Sequence, residues 1–155
     1  MNAQLYIATR DGVAAAERNG RDWRLTGRSL EGREITSIIT REGVILAGTR
    51  QGVLRSDDGG RSWTTASDGL SQPYVRWLAY HPDISDVELA GTEPASIFVS
   101  ADGGDSWSAR PEVAELRDRF GWWLPYSPGA GCVRGFAFHG RRAYAAVEVG
   151  GLLRS

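Results

Sequence analysis

The stretch Ser56-Asp57-Asp58-Gly59-Gly60-Arg61-Ser62-Trp63 decides the fold, because a second copy, Ser100-Ala101-Asp102-Gly103-Gly104-Asp105-Ser106-Trp107, follows it along the chain. Both copies fit the pattern Ser-x-Asp-x-Gly-x-x-Trp. An aspartate carboxylate accepts backbone N–H bonds and closes a tight turn, glycine supplies a positive φ, and tryptophan carries a large apolar ring into a core. The pattern therefore predicts two hairpins of the same structure.

Fainter copies of the pattern flank the two strong ones, at residues 16–23 and 151–155. The first keeps the glycine and the tryptophan, and the second runs up to the serine position. Successive tryptophans of the pattern, Trp23, Trp63 and Trp107, are 40 and 44 residues apart. This interval is the period of a four-stranded propeller blade.

Between these turns the chain reads as short strands with period-two patterning. We therefore predict an all-β chain that forms a β-propeller of four-stranded antiparallel blades, as an incomplete ring of about three to four blades. The predicted divisions of this single partial domain, residues 1–155, are a blade remnant at 4–26, blades at 35–67 and 75–110, an insertion at 111–131 and a partial blade at 132–155. The remnant carries second, third and fourth strands, so we expect missing C-terminal blades or a second copy of the chain to close the ring.

Composition excludes several classes of partner and cofactor. The 155 residues carry a net charge of −1 with acidic and basic side chains interspersed, which argues against nucleic acid and against an anionic membrane. Cys132 is the only cysteine, and His81 and His139 have no partner at metal-ligand spacing, so we expect neither a metal site nor a cofactor. The first residues do not form a signal peptide, and no stretch reaches transmembrane length, so we predict a cytoplasmic protein.

One long insertion interrupts the repeat. Residues 111–120 predict a short helix with proline in its first turn, and residues 121–129 predict an aromatic loop. Exposed aromatic side chains on such a loop, here Trp122, Trp123 and Tyr126, are typical of a platform for a saccharide or a protein. The alternative is that the two tryptophans cover the propeller core.

Alignment of the blades places charged residues at equivalent positions near the mouth of the central channel. Arg76 and Arg134 fall at the same place on two inner strands. The turns after the second strands carry, in chain order, Arg10, Arg50, Glu93 and Glu148. One hypothesis is a polar ligand site in which Glu93 and Glu148 form the carboxylate pair that glycosidases require. The other is a set of Arg–Glu pairs that satisfy one another.

The two strong copies of the pattern resemble the Asp-box of sialidase-type (BNR) repeats. The matching positions are Ser56, Asp58, Gly60 and Trp63 in one copy and Ser100, Asp102, Gly104 and Trp107 in the other. Almost the whole chain is similar to bacterial Asp-box proteins described as glycosyl hydrolase-like or sialidase-like. The resemblance implies a β-propeller fold and gives these eight residues a structural role.

Two hypotheses for the function follow. The first is a binding or scaffold module whose ligand, a protein or a saccharide, contacts the face formed by the starts of the inner strands and the Trp-rich insertion. The second is a glycoside hydrolase that uses Glu93 and Glu148, with Arg76 and Arg134 as substrate clamps. True sialidases of this group carry an Arg-Ile-Pro stretch that this sequence does not contain, so we do not expect sialidase activity. The resemblance supports the fold better than it supports an activity, because propellers host unrelated functions. Of the two hypotheses, we predict the binding module.

Overall fold

Four antiparallel sheets follow one another along the chain, which confirms the all-β, propeller-like class. The computed structural model describes residues 3–124 and 127–155. The first sheet contains β1 (Gln4–Thr9), β2 (Gly12–Asn19) and β3 (Asp22–Ser29). The second sheet contains β4 (Ile35–Arg41), β5 (Val44–Thr49), β6 (Gly52–Ser56) and β7 (Thr64–Thr65).

The third sheet has the same four-stranded order and is followed by the insertion. Its strands are β8 (Val75–Tyr80), β9 (Glu88–Thr92), β10 (Ile97–Ser100) and β11 (Ser108–Ala109). The insertion contains the helix α1 (Pro111–Phe120) and a hairpin of β12 (Trp123–Leu124) and β13 (Ser127–Ala130). The fourth sheet contains β14 (Val133–His139), β15 (Arg142–Val147) and β16 (Gly151–Arg154). No helix among the described residues is long and apolar enough to cross a membrane.

Each sheet is a meander in which successive strands pair, so β4, β8 and β14 are the innermost strands of their sheets. Strand β4 contacts β8, and β8 contacts β14. The sheets therefore stand side by side around a common axis. They form an unclosed arc.

The three strands of the first sheet correspond to the second, third and fourth strands of the full sheets. In the β1–β2 turn, the Thr9 hydroxyl donates to the Gly12 carbonyl at 2.7 Å. In the β5–β6 turn, the Thr49 hydroxyl donates to the Gly52 carbonyl at 2.9 Å. The repeated contact identifies β1 as the counterpart of β5, in agreement with the strand assignment from the sequence.

The outer strand of the second sheet begins at Thr64, and the indole N–H of the preceding Trp63 donates to the Ser29 hydroxyl at 3.1 Å. One local assignment from the sequence needs correction. The segment predicted as an aromatic loop pairs with itself as the β12–β13 hairpin, whose base is closed by the Gly131 N–H bonded to the Trp122 carbonyl at 3.0 Å. The helix predicted over residues 111–120 is present with those bounds.

Residues 56–63 and 100–107, which we name the first and second Asp hairpins, are each organised around one carboxylate. In the first, Asp58 Oδ1 accepts the backbone N–H groups of Arg61 and Ser62, both at 2.9 Å, and Oδ2 accepts the Ser62 hydroxyl at 2.6 Å. Ser56 Oγ accepts the Gly60 N–H at 2.8 Å and donates to Asp58 Oδ1 at 2.9 Å. A single charged side chain therefore satisfies most of the turn's polar groups.

The second Asp hairpin repeats this network. Asp102 Oδ1 accepts the N–H groups of Asp105 and Ser106 at 3.1 and 3.0 Å, and Ser100 Oγ accepts the Gly104 N–H at 2.8 Å. The Ser106 hydroxyl and its backbone N–H lower the pKa of Asp102 to about 2. The carboxylate is therefore ionised at neutral pH.

The core lies between the sheets, with one apolar layer at each interface. Trp107 is 4% exposed in the layer between the second and third sheets, and its indole N–H donates to the Ala66 carbonyl at 2.9 Å. Trp63 packs in the layer between the first and second sheets. Each Asp hairpin thus inserts its tryptophan against the preceding sheet. A Cβ atom at Gly104 would lie 2.5 Å from Leu46 Cδ1, so this close approach requires glycine.

The buried Trp107 and the half-exposed Trp23 should differ in how much their replacement by alanine lowers the free energy of unfolding. We expect Trp107→Ala to lower the free energy of unfolding by about 3–5 kcal/mol, because it leaves a large cavity between two sheets. Trp23→Ala removes a ring that is 48% exposed and should cost less than about 1 kcal/mol. Urea unfolding of both variants measures the difference. Equal losses would show that the inter-sheet position of Trp107 does not stabilise the fold.

A buried carboxyl group occupies an apolar position in the third sheet. Glu88 is 1% exposed and pairs in register with Ser100, as Ile45 pairs with Ser56 in the second sheet. Among residues 3–124 and 127–155, its Oε2 atom has no hydrogen-bond partner. Burial raises the pKa of Glu88, and burial together with the charge of Glu88 raises the pKa of the neighbouring Tyr80 to about 12.

Glu88 therefore predicts a specific dependence of stability on pH. The folded state holds the Glu88 proton more tightly than the unfolded chain does, so this stabilisation is complete below the ordinary glutamate pKa of 4.5 and is lost as the pH rises through the raised value. We expect Glu88→Gln to lose less stability than the wild type as the pH rises above about 4.5 in urea unfolding. The exposed Glu42→Gln should follow the wild type. A Glu88→Gln curve parallel to the wild type would contradict the assignment.

Candidate functional site

The starts of the inner strands and the ends of the second strands meet at one edge of the sheets. The Glu93 N–H donates to the Tyr74 carbonyl and the Glu148 N–H donates to the Cys132 carbonyl, both at 2.9 Å. Glu93 and Glu148 therefore occupy equivalent positions, as the alignment of the blades predicts. We name this region the inner-strand edge and define it by Glu34, Arg50, Tyr74, Arg76, Glu93, Cys132, Arg134 and Glu148.

Both candidate catalytic carboxylates form ion pairs at this edge. Glu93 Oε2 lies 3.4 Å from Arg76 Nη1, and Glu148 Oε1 lies 2.5 Å from Arg134 Nη2. The hydrogen bond from Arg134 lowers the pKa of Glu148. The two arginines predicted as substrate clamps are thus the partners of the two glutamates.

The second sheet carries a third Arg–Glu pair, in which the arginine lies in the turn after the second strand. Arg50 stands where the third sheet has Glu93, and its Nε donates to Glu34 Oε2 at 2.8 Å. The hydrogen bond and the charge of Arg50 lower the pKa of Glu34. Three neighbouring sheets therefore present three Arg–Glu pairs along one edge.

Tyr74 joins two of these pairs. The guanidinium carbon of Arg50 lies 4.6 Å from the centre of the Tyr74 ring, and that of Arg76 lies 5.1 Å from it. Arg76 Nη1 also donates to the Tyr74 hydroxyl. Because a cation above an aromatic face is attracted by the ring quadrupole, Tyr74 fixes the positions of both arginines.

An open cleft of about 300 Å³ lies beside the ion pairs. Its apolar part is formed by Ile35 and Val133, and the Trp77 ring, 44% exposed, lines it as well. Arg76 and Arg134 lie at its rim. The cleft therefore combines aromatic surface with two charged groups, a combination suited to binding a polar ligand.

The other predicted ligand residues are distributed unevenly. Arg10 is exposed in the β1–β2 turn, and its charge contributes to the lowered pKa of Glu34. Trp123 is 57% exposed on β12, whereas Trp122 is 6% exposed and packs in the layer between the third and fourth sheets. Trp122 thus has the core position that was the alternative to a ligand platform. Tyr126 lies outside the described residues.

Glu34, Tyr74 and Trp77 also belong to the site, although they are not among the residues predicted from the sequence. Glu34 and Tyr74 immediately precede inner strands and stand in register with Cys132. The signal that identifies Glu34 and Tyr74 is this shared register, one residue before each inner strand begins. Residue type alone did not reveal it, because the three positions carry an acid, a phenol and a thiol.

Cys132 lies beneath Glu148 in this arrangement. The thiol is 1% exposed, and Sγ lies 3.4 Å from Glu148 Oε2. Burial and the hydrogen bond to Glu148 raise the pKa of Cys132. Since the thiolate is the nucleophilic form, Cys132 is poorly suited to nucleophilic catalysis.

No protein-family profile matches this chain, and no curated protein sequence matches it. Solved structures match it in fold. YCF48 bound to a D1 peptide aligns with 94% of this chain and 43% of its own length, at a TM-score of 0.58 and 15% identity. The GH74 xyloglucanase from Xanthomonas campestris aligns with 98% of this chain and 26% of its own length, at a TM-score of 0.58 and 18% identity. The computationally designed Ika4 protein aligns with 98% of this chain and 84% of its own length, at a TM-score of 0.64 and 13% identity.

These similarities concern the fold alone. The chain spans less than half of the length of YCF48 and about a quarter of the length of the xyloglucanase. Together with the four meander sheets, they show a β-propeller-like, all-β fold. The fold class includes both binding proteins and glycoside hydrolases.

The contact between Cys132 and Glu148 gives a prediction about thiol chemistry. We expect Glu148→Gln to lower the pKa of Cys132, because it removes a negative charge beside the thiol and leaves Arg134 to stabilise the thiolate. The pH dependence of alkylation by iodoacetamide measures this shift. Glu93→Gln, whose carboxylate pairs with Arg76, serves as the matched control and should leave the profile unchanged. Equal shifts in both variants would contradict the assigned contact.

Proposed function

We propose that this chain is a β-propeller binding module, that its ligand face is the inner-strand edge, and that its ligand is a peptide segment. The observation that carries the proposal is that Glu93 and Glu148 are both engaged by arginines. A glycoside hydrolase needs one carboxyl group that holds a proton near neutral pH, and such a pKa is raised. The pKa of Glu148 is lowered, which opposes that role.

The chemistry of the edge favours a ligand that carries both signs of charge. A ligand that approaches an Arg–Glu pair must replace the contacts it breaks, or it leaves a charge unpaired. A peptide with a carboxylate and a cationic side chain supplies both replacements along an extended backbone. The exposed Trp77 ring offers apolar surface beside Arg76 and Arg134. The bound peptide of the YCF48 structure supports the same class of ligand by analogy of fold.

Peptide binding is tested with selected peptides rather than with a presumed partner. A library of random dodecapeptides is panned against the chain, and fluorescence anisotropy with the selected peptides gives dissociation constants. We expect Arg76→Ala and Arg134→Ala each to weaken binding about tenfold or more, because each removes a bidentate partner for a carboxylate. Arg24→Ala, an exposed change on β3, is the matched control. Peptides that bind all three variants equally would contradict the assigned face, and retention on a glycan array alone would favour a saccharide ligand.

The hydrolase alternative has its own test. Incubation of the chain with xyloglucan and with 4-nitrophenyl glycosides should release no more product than the same incubation with Glu148→Gln. Turnover that is lost in both Glu93→Gln and Glu148→Gln would establish a glycoside hydrolase and overturn the binding module.

A further inference from the structure

An open cavity of about 270 Å³ lies between the first sheet and the first Asp hairpin. Strands β1, β2 and β3 form its walls, and the turn of the hairpin, at residues 59–61, forms its remaining side. Because its lining comes from residues 4–29 and 59–61, the cavity is separate from the inner-strand edge.

The next interface of the chain shows which side chain occupies the corresponding space. The β1–β2 and β5–β6 turns are equivalent, and Ala15 and Arg55 each lie at the fourth position of the strand that follows. Ala15 pairs with Tyr6 on the neighbouring strand, and Arg55 pairs in the same way with Leu46. A Cβ atom at Gly60 would lie 3.8 Å from Tyr6 Cε1, so the first hairpin covers its pair of strands as the second hairpin covers Leu46.

Arg55 joins the second sheet to the second Asp hairpin. Its Nη1 donates to the Gly103 carbonyl in the turn of that hairpin. Its Nη2 lies 2.7 Å from Asp57 Oδ1, and its Nη1 lies 3.4 Å from Asp105 Oδ1. A guanidinium at this position therefore has a carbonyl and two carboxylates as partners.

The carbonyl partner is also present at the cavity, where Ala15 supplies no guanidinium. Gly59 stands at the position of Gly103 and lines the cavity. Its carbonyl accepts the Tyr6 hydroxyl at 3.4 Å, which is long for a hydrogen bond between two oxygen atoms. Because a carbonyl oxygen has two lone pairs, it can accept a second donor.

A carboxylate partner is present as well. Glu17 lines the cavity two residues after Ala15, at the position that Asp57 has in the second sheet. Its Oε1 accepts the Gln4 amide at 3.4 Å. Among residues 3–124 and 127–155, no arginine forms an ion pair with Glu17. The cavity thus presents a carboxylate that can accept a cationic donor.

The ring of Tyr6 adds a surface that attracts cations. Paired side chains on neighbouring strands have Cβ atoms about 5 Å apart, so a group at the side of Ala15 lies next to this ring. Guanidinium groups already occupy tyrosine faces elsewhere in the chain, as Arg50 and Arg76 do at 4.6 and 5.1 Å from the centre of Tyr74. A guanidinium in the cavity gains the same attraction from the ring quadrupole.

The rim of the cavity carries positive charge. Arg28 on β3 and Arg61 in the hairpin both line it and are exposed. Arg61 stands where the second hairpin has Asp105. Because the two arginines repel a ligand that carries a guanidinium alone and attract a carboxylate, the cavity favours a molecule that carries both groups.

We propose that this cavity binds an arginine whose α-carboxylate is free, either the amino acid itself or the last residue of a peptide. The guanidinium donates to the Gly59 carbonyl and to Glu17 and lies against the ring of Tyr6. The α-carboxylate contacts Arg28 and Arg61. The site is independent of the inner-strand edge and of the function proposed for that edge.

Isothermal titration calorimetry of the 155-residue chain with L-arginine tests the site. We expect citrulline, whose side chain ends in a neutral urea group, and agmatine, which lacks the carboxylate, each to bind about tenfold or more weakly, because each loses a charge-assisted contact. Tighter binding of Gly-Gly-Arg than of arginine would identify a peptide terminus as the ligand, and the reverse order the free amino acid. Absence of arginine binding in the millimolar range, or equal binding of arginine and citrulline, would overturn the proposal.

Two variants exchange features between the two interfaces. Ala15→Arg places a guanidinium of the chain in the cavity and should weaken arginine binding at least about tenfold. Arg61→Asp gives the first hairpin the residue of the second, so agmatine should then bind more tightly than arginine. Arg141→Asp makes the same change of charge in the fourth sheet and is the matched control, in which arginine should remain the preferred ligand.

Glu17→Gln keeps the size of the side chain and tests the carboxylate without filling the cavity. We expect it to weaken arginine binding about tenfold, with circular dichroism and the thermal unfolding midpoint close to those of the wild type. This variant and Arg61→Asp decide the question if Ala15→Arg does not fold. Wild-type affinity in Glu17→Gln, or an unchanged preference for arginine in Arg61→Asp, would show that the ligand does not occupy this cavity.

Discussion

The structure depends on the packing of the tryptophan of each Asp hairpin against the preceding sheet. Trp107 follows the third strand of its own sheet, yet its indole bonds the Ala66 carbonyl of the preceding sheet. A single meander sheet cannot bury its apolar faces alone, so the inter-sheet ring converts separate units into one core. The carboxylate of each Asp hairpin stabilises the turn that precedes the tryptophan, and this turn sets the position of the ring.

The parts of this arrangement that depend on neighbours in sequence could be predicted. The Asp hairpins, the strand order and the helix of the insertion follow from turn chemistry and period-two patterning over short stretches. The pattern Ser-x-Asp-x-Gly-x-x-Trp nevertheless leaves out Ser62 and Ser106, whose hydroxyls donate to the second carboxylate oxygen in both hairpins. Both residues stand at the same position of the pattern, so the repeat itself contained that information.

The parts that depend on neighbours across the sheets could not be predicted. Trp122 and Trp123 are adjacent in sequence, but the pairing of β12 with β13 turns one ring inward and the other outward. Alignment placed Glu93 and Glu148 together, but the choice of Arg76 and Arg134 as their partners depends on how side chains from adjacent strands meet. Glu88 has a residue type typical of exposed positions, and only the packing of its sheet shows that it is buried.

The balance of charge along the inner-strand edge has a kinetic consequence. Its three ion pairs contain three arginines and three glutamates, so their fields cancel at distances beyond about 8–10 Å in physiological salt. An approaching molecule therefore gains no long-range electrostatic steering, and association rate constants of about 10⁵–10⁶ M⁻¹ s⁻¹ are the natural range for such a surface. Discrimination between ligands then lies in how long each complex lasts after contact, while the frequency of encounter is nearly the same for all of them.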